Sequence, residues 1–470
     1  MKVEQIYTGC LAEAAYYIES QGEAAVIDPL RDPRPYIERA EQDKAKIKYV
    51  LETHFHADFV SGHLDLARAT GATIVYGPNA ETAFDAYIAK DGEELKLGKA
   101  TIRVIHTPGH TLESTTYLLI DENGKEHAIF TGDTLFIGDV GRPDLAVKSD
   151  LTKEDLASLL YDSLRNKIMP LPDHLIVYPA HGAGSACGKS MSKETFDTLG
   201  NQKKFNYALR SDMSREEFIH AVLEGLTPPP QYFPKNAVLN RKGYPSFETV
   251  EQKGLVAHSV DEFIETANQH HALILDTRSP DAFASGHIPG SVFIGIDGNF
   301  APWAGALIPD LNQPILFVAD EGREQEVVMR LSRVGFDNTL GYLKGGMESW
   351  RQAGRPIETC EEITAEDLKK LYSENPDALN IVDVRNRQEY FSNRLNKALH
   401  LPLDQINSHM RELDRNARYF IHCAGGYRSM IALSILKGRG YRHLVNIKGG
   451  FKAIADTGLP VVSGPPMVTT

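Results

Sequence analysis

Two groups of residues in this sequence have the types and spacing that support chemistry. The first group contains imidazole and carboxylate side chains that each follow an apolar stretch: His54, His56, Asp58, His110, Asp133 and His181. Nitrogen and oxygen donors of these kinds bind zinc or iron, and the close spacing of the first three is typical of metal ligands. A single histidine of this sort is usually structural, but this succession of donors indicates a metal site.

The second group surrounds Cys423, which follows the apolar segment YFIH and precedes Ala-Gly-Gly-Tyr-Arg. The backbone N–H groups of Gly425, Gly426 and Tyr427 can turn toward the sulfur at the start of a helix. That arrangement and the guanidinium of Arg428 would lower the thiol pKa and stabilise an anionic persulfide. The sequence therefore predicts Cys423 and Arg428 as catalytic residues, in a loop whose other members bind the transferred sulfur.

The first group needs rigid elements to position it, and about the first 180 residues supply alternating strands and helices. Apolar segments such as AAYYIES, ATIVYG and STTYLLID predict strands, whereas PYIERAEQDK and VSGHLDLARAT predict helices, the second of which ends at Gly71. Because several strands end in a histidine or an aspartate, we expect these polar side chains at one edge of a sheet, where loop-borne sites usually lie.

Residues 182–242 have a different composition from the part of the chain before them. A Gly/Ser-rich segment is followed by the predicted helix SREEFIHAVLEGL and then by Pro228-Pro229-Pro230. Consecutive prolines favour a stiff, extended backbone. We expect this region to be a tail of the first domain that continues into a linker.

The remainder of the chain contains an internal repeat of about a hundred residues. The segment that begins ILDTRSPDAF at Ile274 matches the segment that begins IVDVRNRQEY at Ile381, and LKGGMESW later matches IKGGFKAI. Each copy alternates strand and helix patterns, which predicts a small parallel α/β sheet. The predicted domains are 1–243, 255–356 and 362–464.

The bulk composition narrows the class of partner. A formal net charge of −13 argues against a nucleic-acid partner, although it does not exclude a small anion. No apolar run approaches the roughly 18 residues that a membrane span needs, and the N-terminus lacks the features of a signal or transit peptide. Four scattered cysteines are too few for a disulfide framework. We expect a cytoplasmic homo-oligomer, dimeric or tetrameric, with no nucleic-acid or membrane partner.

The pattern of histidines and aspartates over about residues 1–240 resembles the metallo-β-lactamase superfamily, which implies an N-terminal αββα sandwich ahead of the two α/β modules. In most members the motif reads HxHxDH, and two metal ions share the site. Here Phe59 occupies the last position of that motif. Because an apolar ring cannot donate to a second metal, the sequence disfavours a dinuclear zinc hydrolase.

The persulfide dioxygenase branch of the superfamily is similar in its ligand positions. The resemblance implies one Fe²⁺ per N-terminal domain, held by a 2-His-1-carboxylate set that leaves positions open for O₂ and substrate: His54, His110 and Asp133. Three further residues would hydrogen-bond to these ligands or to water, or else be plain structural polar residues: His56, Asp58 and His181. Zinc accepts the same ligand types, so the ligands alone leave the identity of the metal open.

Two more residues occupy positions that resemble functional positions of persulfide dioxygenases. Arg142 falls where those enzymes carry an arginine associated with the thiol substrate, and its guanidinium suits a carboxylate or phosphate; the alternative is an ion pair with Asp144. Cys187 lies in a GSACGKS stretch, where Lys189 would favour its thiolate. It is either a catalytic residue that captures sulfane sulfur or a passive small side chain.

The repeated modules resemble rhodaneses, in which a cysteine and an arginine bound a six-residue active loop. Cys423 to Arg428 has that length, whereas related phosphatases use a longer loop, so sulfur transfer is favoured over dephosphorylation. In the first copy the strand ILFVA runs into Asp320-Glu321-Gly322-Arg323-Glu324, and this loop has no cysteine. An acidic loop cannot hold a persulfide anion, so we expect the first copy to be an inactive scaffold.

Together the resemblances imply a sulfur-handling enzyme that acts in sulfide detoxification or sulfur metabolism. It would oxidise a low-molecular-weight persulfide such as glutathione persulfide to sulfite with O₂, and its rhodanese module would produce or use thiosulfate. One alternative is a zinc-dependent, glyoxalase-II-like thioester hydrolase fused to rhodanese. Another is a persulfide sensor or sulfur carrier without catalytic activity.

Overall fold

The computed structural model describes residues 1–146 and 151–464, which divide into two compact units. One unit contains Met1–Thr249 together with Leu331–Gly335, and the other contains Val250–Arg330 and the described residues from Phe336 onward. All four cysteines are free. Among the described helices, none is long and apolar enough to cross a membrane.

The first unit is built on two six-stranded sheets whose strands follow one another in chain order. The strands of the first sheet are β1 Lys2–Thr8, β2 Glu13–Ser20, β3 Glu23–Ile27, β4 Lys46–Leu51, β5 Thr73–Tyr76 and β6 Tyr87–Ile88. The strands of the second sheet are β7 Glu94–Leu97, β8 Ala100–His106, β9 Thr115–Ile120, β10 Glu126–Gly132, β11 Ile176–Pro179 and β12 Asp197–Thr198. The first three strands of the first sheet are antiparallel and the rest parallel, whereas the second sheet is antiparallel except for the parallel pair β10–β11.

The central strands are apolar throughout because both of their faces are buried. In β2, Tyr16 points into the cluster between the sheets, where its ring meets Phe130 edge to face at 4.9 Å. The next residue, Tyr17, points to the opposite face and packs with Tyr36 and Leu66 of the outer helices. This alternation of side chains across a strand produces helix–sheet–sheet–helix layers. The predicted αββα sandwich is therefore confirmed.

The helices of this unit cover the outer faces of the sheets. They are α1 Arg34–Gln42, α2 His63–Thr70, α3 Lys153–Ser163, α4 Leu199–Phe205, α5 Arg215–Leu223 and α6 Phe233–Lys242, and α7 Phe247–Gly254 follows α6 in the chain. A π-helical segment, Leu164–Ile168, extends α3. The predicted end of α2 is confirmed, since Gly71 adopts the left-handed conformation that favours glycine, with φ of 71°.

The region predicted as a tail and linker is packed onto the first unit. Its helix α6 buries Asn240, whose side-chain amide donates to the carbonyl oxygens of His56 and Phe59 and whose oxygen accepts from the backbone N–H of Ser61. The prediction of a linker here was wrong. The triple proline suggested a stiff spacer, whereas the hydrogen bonds that fix α6 involve residues almost 200 positions earlier, which local composition does not reveal.

The second unit contains two five-stranded parallel sheets of the same topology. In sheet order the first consists of β13 Ala257–His258, β17 Thr339–Leu343, β16 Ile315–Val318, β14 Leu273–Asp276 and β15 Val292–Phe293. The second consists of β18 Glu361–Ile363, β23 His443–Ile447, β22 Arg418–His422, β19 Asn380–Asp383 and β21 Leu399–His400. A two-stranded ribbon pairs β20 Arg394–Leu395 with β24 Val461–Val462. The predicted repeat of small parallel sheets is confirmed.

Helices flank both sheets of the second unit and bury a separate apolar cluster in each module. Those of the first module are α8 Val260–His270, α9 Pro280–Ser285, α10 Phe300–Leu307, α11 Glu324–Ser332 and α12 Gly346–Gln352. Those of the second module are α13 Ala365–Glu374, α14 Arg387–Ser392, α15 Ile406–His409, α16 Tyr427–Gly438 and α17 Gly450–Asp456.

Candidate metal centre and sulfur-binding loop

The predicted metal-binding side chains lie at the ends of four strands. β8, β10 and β11 run in the same direction, so the residues that follow them, His110, Asp133 and His181, meet at one edge of the second sheet. The loop after β4 of the first sheet brings His54 to the same place. The expected gathering of polar residues at a sheet edge is what the structure shows.

Three of these side chains form a compact, buried set of metal donors. His54, His110 and Asp133 are each 1% exposed, and their ligand atoms all lie within 4.8 Å of one another. The Nε2 atoms of the two histidines are 3.7 Å and 3.4 Å from Oδ2 of the aspartate. That carboxylate oxygen is buried without a hydrogen-bond partner, which is costly unless a cation completes its environment.

Hydrogen bonds on the far side of each ring direct the two Nε2 atoms toward the aspartate. Nδ1 of His110 lies 2.9 Å from the backbone carbonyl oxygen of Arg142. Nδ1 of His54 lies 2.9 Å from the hydroxyl of Thr53, which in turn donates to Asp28. Since a carbonyl oxygen can only accept, His110 carries its proton on Nδ1 and keeps the Nε2 lone pair free for a metal.

The electrostatic environment favours the protonation states that metal ligands need. Burial and the neighbouring His56 hold the pKa of His54 well below the ordinary value, so this imidazole is neutral. Burial alone would raise the pKa of Asp133, but His181 and His54 outweigh it and lower the pKa of this carboxyl below its usual range. A neutral imidazole and an ionised carboxylate are the ligand forms that bind a divalent metal, so the residues present fit one such ion.

His56 does not join this set, although its place in the sequence is next to His54. Its Nε2 lies 3.0 Å from Oδ1 of Asp28 and 3.7 Å from Oε2 of Glu52, and these three residues form a second buried group. Its ring packs on Phe59 at a centroid distance of 4.3 Å. The structure therefore places His56 beside the metal donors with its own acidic partners. Sequence reasoning missed Asp28, although it follows the apolar strand β3 just as Asp133 follows β10.

Asp58 and His181 flank the donor set on the other side. Nδ1 of His181 is 2.7 Å from Oδ1 of Asp133, and its Nε2 is 2.7 Å from Oδ2 of Asp58. Burial alone would lower the pKa of His181, but Asp133 and Asp58 together raise it well above the usual value. His181 thus positions the carboxylate of Asp133, while the oxygen of that carboxylate that faces the two histidine Nε2 atoms stays free.

Cys187 reaches this region as well, since its sulfur lies within 4.8 Å of ligand atoms of Asp58 and His181. Burial, with Asp58 and Asp133 adding to it, raises the pKa of this thiol well above the ordinary value. The ammonium of Lys189 donates instead to the main-chain oxygens of Ala221 and Glu224. The prediction that Lys189 favours a Cys187 thiolate was therefore wrong. The thiol of Cys187 is buried and faces carboxylates, and the ammonium of Lys189 is hydrogen-bonded elsewhere.

Arg142 is engaged within the protein. Its guanidinium donates to both carboxylate oxygens of Asp144, at 2.6 Å and 2.8 Å, and to the carbonyl oxygens of Ala186 and Thr227. Of the two sequence-based alternatives for this residue, the structure contains the ion pair. Its association with a thiol substrate stays a prediction.

A cavity of about 570 Å³ opens beside His110. Its walls are mainly apolar and include Phe55, Leu112 and, from α6, Phe233 and Val238. This volume lies within the range of ordinary ligand pockets. Sequence reasoning missed the contribution of α6 because that segment had been assigned to a linker.

The second predicted site lies between β22 and α16. Cys423 is buried, and its sulfur accepts a hydrogen bond of 3.1 Å from the backbone N–H of Gly426. Gly426 has φ of 109° and forms the N-cap of α16, so the helix begins directly beneath the sulfur. The guanidinium of Arg428 is held by two hydrogen bonds of 2.7 Å to Glu389. The structure brings Cys423, its loop and Arg428 together as the sequence predicts.

The corresponding loop of the first module contains two carboxylates and no cysteine. It follows β16 and contains Asp320 and Glu321, and its Arg323 is paired with Asp297 and Glu326. Its arginine is thus paired with carboxylates, as Arg428 is with Glu389 in the second module, so the two loops differ by the cysteine. This arrangement is consistent with an inactive first module.

Comparison with known protein families accounts for most of the chain. Residues 8–181 match the metallo-beta-lactamase superfamily, and residues 257–353 and 364–457 match the rhodanese-like domain. The solved structure of a metallo-beta-lactamase from Staphylococcus aureus subsp. aureus COL is 30% identical to this chain, with a TM-score of 0.64. The match covers 73% of this chain and 98% of that one.

Two curated relatives are similar to the N-terminal part. The cytoplasmic hydroxyacylglutathione hydrolase of Arabidopsis thaliana is 36% identical over 177 residues, which are 37% of this chain and 65% of that protein. The mitochondrial persulfide dioxygenase ETHE1 of Homo sapiens is 28% identical over 211 residues, which are 44% of this chain and 74% of that protein. This chain therefore belongs to the metallo-beta-lactamase superfamily and carries two rhodanese-like domains after the metallo-beta-lactamase domain.

Proposed function

We propose that residues 1–243 form an iron-dependent persulfide dioxygenase and that residues 362–464 form a rhodanese that produces or uses thiosulfate. The intervening module, 255–356, is an inactive rhodanese fold. The observation that carries the proposal is the buried donor set of His54, His110 and Asp133. Two imidazole nitrogens and one carboxylate oxygen are a donor set that would hold one ferrous ion.

The residues around the donor set support a single metal ion rather than two. Phe59 places an apolar ring where a second metal would need a nitrogen, and His56 is directed at Asp28 and Glu52. Ferrous iron, when bound, would supply the activation of O₂ that amino-acid side chains cannot provide. The protein positions two imidazoles and a carboxylate, and burial of all three limits access of bulk water.

The first reaction converts one persulfide, one O₂ and one water into one thiol, one sulfite and two protons. The terminal S–S bond of the persulfide breaks, its outer sulfur is oxidised, and O₂ is the oxidant. The apolar cavity beside His110 would hold the organic part of the persulfide, with its sulfur directed toward the donor set. A low-molecular-weight persulfide is a small molecule, and a pocket of this size suits a small-molecule ligand.

The second reaction would take place on Cys423. Its thiolate attacks the outer sulfur of a second persulfide and releases the carrier thiol, and sulfite then attacks the sulfur held on the cysteine to give thiosulfate. The N–H of Gly426, which donates to Sγ of Cys423, and the start of α16 would stabilise the thiolate of this cysteine. Running backwards, the same steps would regenerate a persulfide from thiosulfate.

Cys187 is a further catalytic candidate because it lies among Asp58, His181 and the metal donors. In this role it would accept sulfane sulfur near the dioxygenase site. Thiosulfate output from the Cys187→Ser variant checks the idea. Output that equals that of the wild type would reduce Cys187 to a small packing residue.

A zinc-dependent thioester hydrolase is the second candidate, and the similarity to hydroxyacylglutathione hydrolase favours it. One experiment separates the candidates: metal analysis of the purified full-length protein, together with O₂ uptake on glutathione persulfide and cleavage of S-lactoylglutathione. Iron with O₂ uptake is the expected result. Zinc with thioester cleavage would establish the hydrolase, and sulfur loading without turnover would establish a carrier.

A further inference from the structure

The aromatic side chain of the sulfur-binding loop is directed at the first module. Tyr427, the residue before Arg428, donates a hydrogen bond of 2.7 Å from its hydroxyl to the carbonyl oxygen of Gly295. Its ring meets Phe293 edge to face, with centroids 6.0 Å apart. Only the backbone of Tyr427 therefore remains in the loop that surrounds Cys423, while its side chain extends into the neighbouring module.

The segment of the first module that receives Tyr427 is itself fixed. The guanidinium of Arg330, on α11, donates to the carbonyl oxygens of Ile296 and Gly298, and this arginine is 7% exposed. The carboxylate of Glu326 also accepts a hydrogen bond of 3.1 Å from the guanidinium of Arg330. Residues 295–298 therefore form a fixed surface that contacts the tyrosine, and we call this surface the 295–298 seat.

The seat fits the tyrosine so closely that it requires glycine. A Cβ added to Gly298 would lie 2.3 Å, 2.6 Å and 2.7 Å from three ring carbons of Tyr427. Such distances are not tolerated, and rigid aromatic carbons cannot retreat as the end of a flexible chain can. A second contact holds the same helix, because Ser434 of α16 accepts the backbone N–H of Phe293 on β15.

We propose that the first module, although it lacks a cysteine, positions the catalytic loop of the second module through the 295–298 seat, with Gly298 and Tyr427 as positioning residues. The inference rests on the proposed sulfur transfer by Cys423 for its activity readout. Four residues lie between Cys423 and Arg428, and the N–H groups of this short loop must surround the sulfur. Holding Tyr427 in place therefore restricts the conformation of much of the loop. The first copy, whose loop has no cysteine, would then serve the second copy through its supporting surface.

Gly298→Ala in the full-length protein tests the inference. Because the added methyl group displaces Tyr427, we expect sulfur transfer from thiosulfate or glutathione persulfide to fall about tenfold or more, as expected when a reacting group is misplaced. We also expect iodoacetamide to label Cys423 faster, since this sulfur is only 1% exposed when the loop is in place. Labelling is measured by peptide mass spectrometry with Cys360 of the same sample as reference.

Double mutation separates positioning from general damage. If the clash with the ring is the cause, Gly298→Ala should have no further effect on labelling in a Tyr427→Ala background. Fluorescence of Trp303 and Trp350, both in the first module, should show an unfolding midpoint close to that of the wild type.

Asp261→Ala is the control in the same module because its side chain lies outside the seat, is 85% exposed and pairs with Arg355 at the surface. It should leave sulfur transfer and labelling unchanged. Unchanged transfer and labelling in Gly298→Ala would overturn the inference. Absence of sulfur transfer in the wild type would instead contradict the proposed function, and the labelling comparison would still decide the role of the seat.

Discussion

At the scale of single residues, the metal donors depend on main-chain groups as much as on each other. His110 is oriented by the carbonyl oxygen of Arg142, and the guanidinium of the same arginine is anchored by Asp144 and two further carbonyl oxygens. Arg142 thus fixes the loop that aims His110. Gly141, directly before it, packs against the donor set so closely that an added Cβ would lie 1.9 Å from the carbonyl oxygen of Asp133 and 2.9 Å from Nδ1 of His110.

Gly141→Ala should therefore weaken metal binding without removing a ligand. The methyl group would displace Asp133 and His110, and disturbing the supports of metal ligands typically costs about 10- to 100-fold in metal affinity or activity. Iron retained during dialysis against a graded chelator measures the effect. Gly9→Ala is the control, since no atom lies within 4 Å of an added Cβ there, and its iron retention should match the wild type. Equal retention in both variants would show that the close packing at Gly141 is not needed.

A pair of aspartate variants tests whether one metal or two are bound. Asp133→Asn removes the carboxylate shared by both donor histidines, so we expect loss of iron and of O₂ uptake. Asp58→Asn changes a residue that contacts only His181 and the region of Cys187, so iron content should stay near one per chain. Metal analysis of both purified variants measures this. A wild-type content of two ions that falls to one in Asp58→Asn would contradict the mononuclear site.

At the scale of elements, an inner strand of each module in the second unit ends in an aspartate. This aspartate forms a buried ion pair with an arginine two residues later. Asp276 with Arg278 follows this pattern in the first module, and Asp383 with Arg385 follows it in the second. In the second module the guanidinium also lies 3.9 Å from the ring centre of Phe451 and donates to the carbonyl oxygen of Asn393. The pair ties β19 to the following segment, so it supports the sheet whose neighbouring strand carries Cys423.

Asp383→Asn should destabilise the second module by about 3 kcal/mol, because it leaves a buried guanidinium without its counter-charge. Burial alone would raise the pKa of Asp383, but His422 and Arg385 lower it below the usual value. A carboxyl with a lowered pKa stabilises the fold above its unfolded pKa of about 4, and this contribution disappears as the pH falls through the folded value. The difference between the variant and the wild type should thus be full at pH 7 and shrink below about pH 4.

Urea-dependent hydrogen exchange of the β19 and β22 peptides measures this difference in the full-length protein. Asp377→Asn is the control in the same module, since its pair with Lys397 is exposed and surface pairs contribute little. A variant difference that stayed constant from pH 7 to pH 3 would show that ionisation of Asp383 is not what stabilises the strand.

At the scale of the whole molecule, the sequence was informative where a pattern is local and periodic. The strand ends that carry His54, His110 and Asp133, the repeat of two modules and the loop after Cys423 all follow from short segments. What could not be predicted depends on long-range contacts. Asn240, on α6, hydrogen-bonds to residues near the metal site. The side chain of Tyr427 extends out of its own loop and hydrogen-bonds to Gly295. Neither partner is recognisable from the sequence around these residues.

The presence of two active sites predicts a product that depends on both of them. With glutathione persulfide and O₂, the wild type should consume two persulfides for each O₂ and release thiosulfate, because the sulfite formed at the first site receives sulfur from Cys423. Cys423→Ala should consume one persulfide for each O₂ and release sulfite, with the rate of O₂ uptake unchanged, since Cys423 lies outside the unit that carries the metal donors. An O₂ electrode with chromatography of labelled sulfite and thiosulfate measures both ratios.

Addition of the Asp133→Asn chain, which keeps Cys423, should restore thiosulfate to the Cys423→Ala reaction because sulfite diffuses freely. Thiosulfate formed by Cys423→Ala alone, faster than sulfite and persulfide form it without protein, would show that another residue transfers the sulfur.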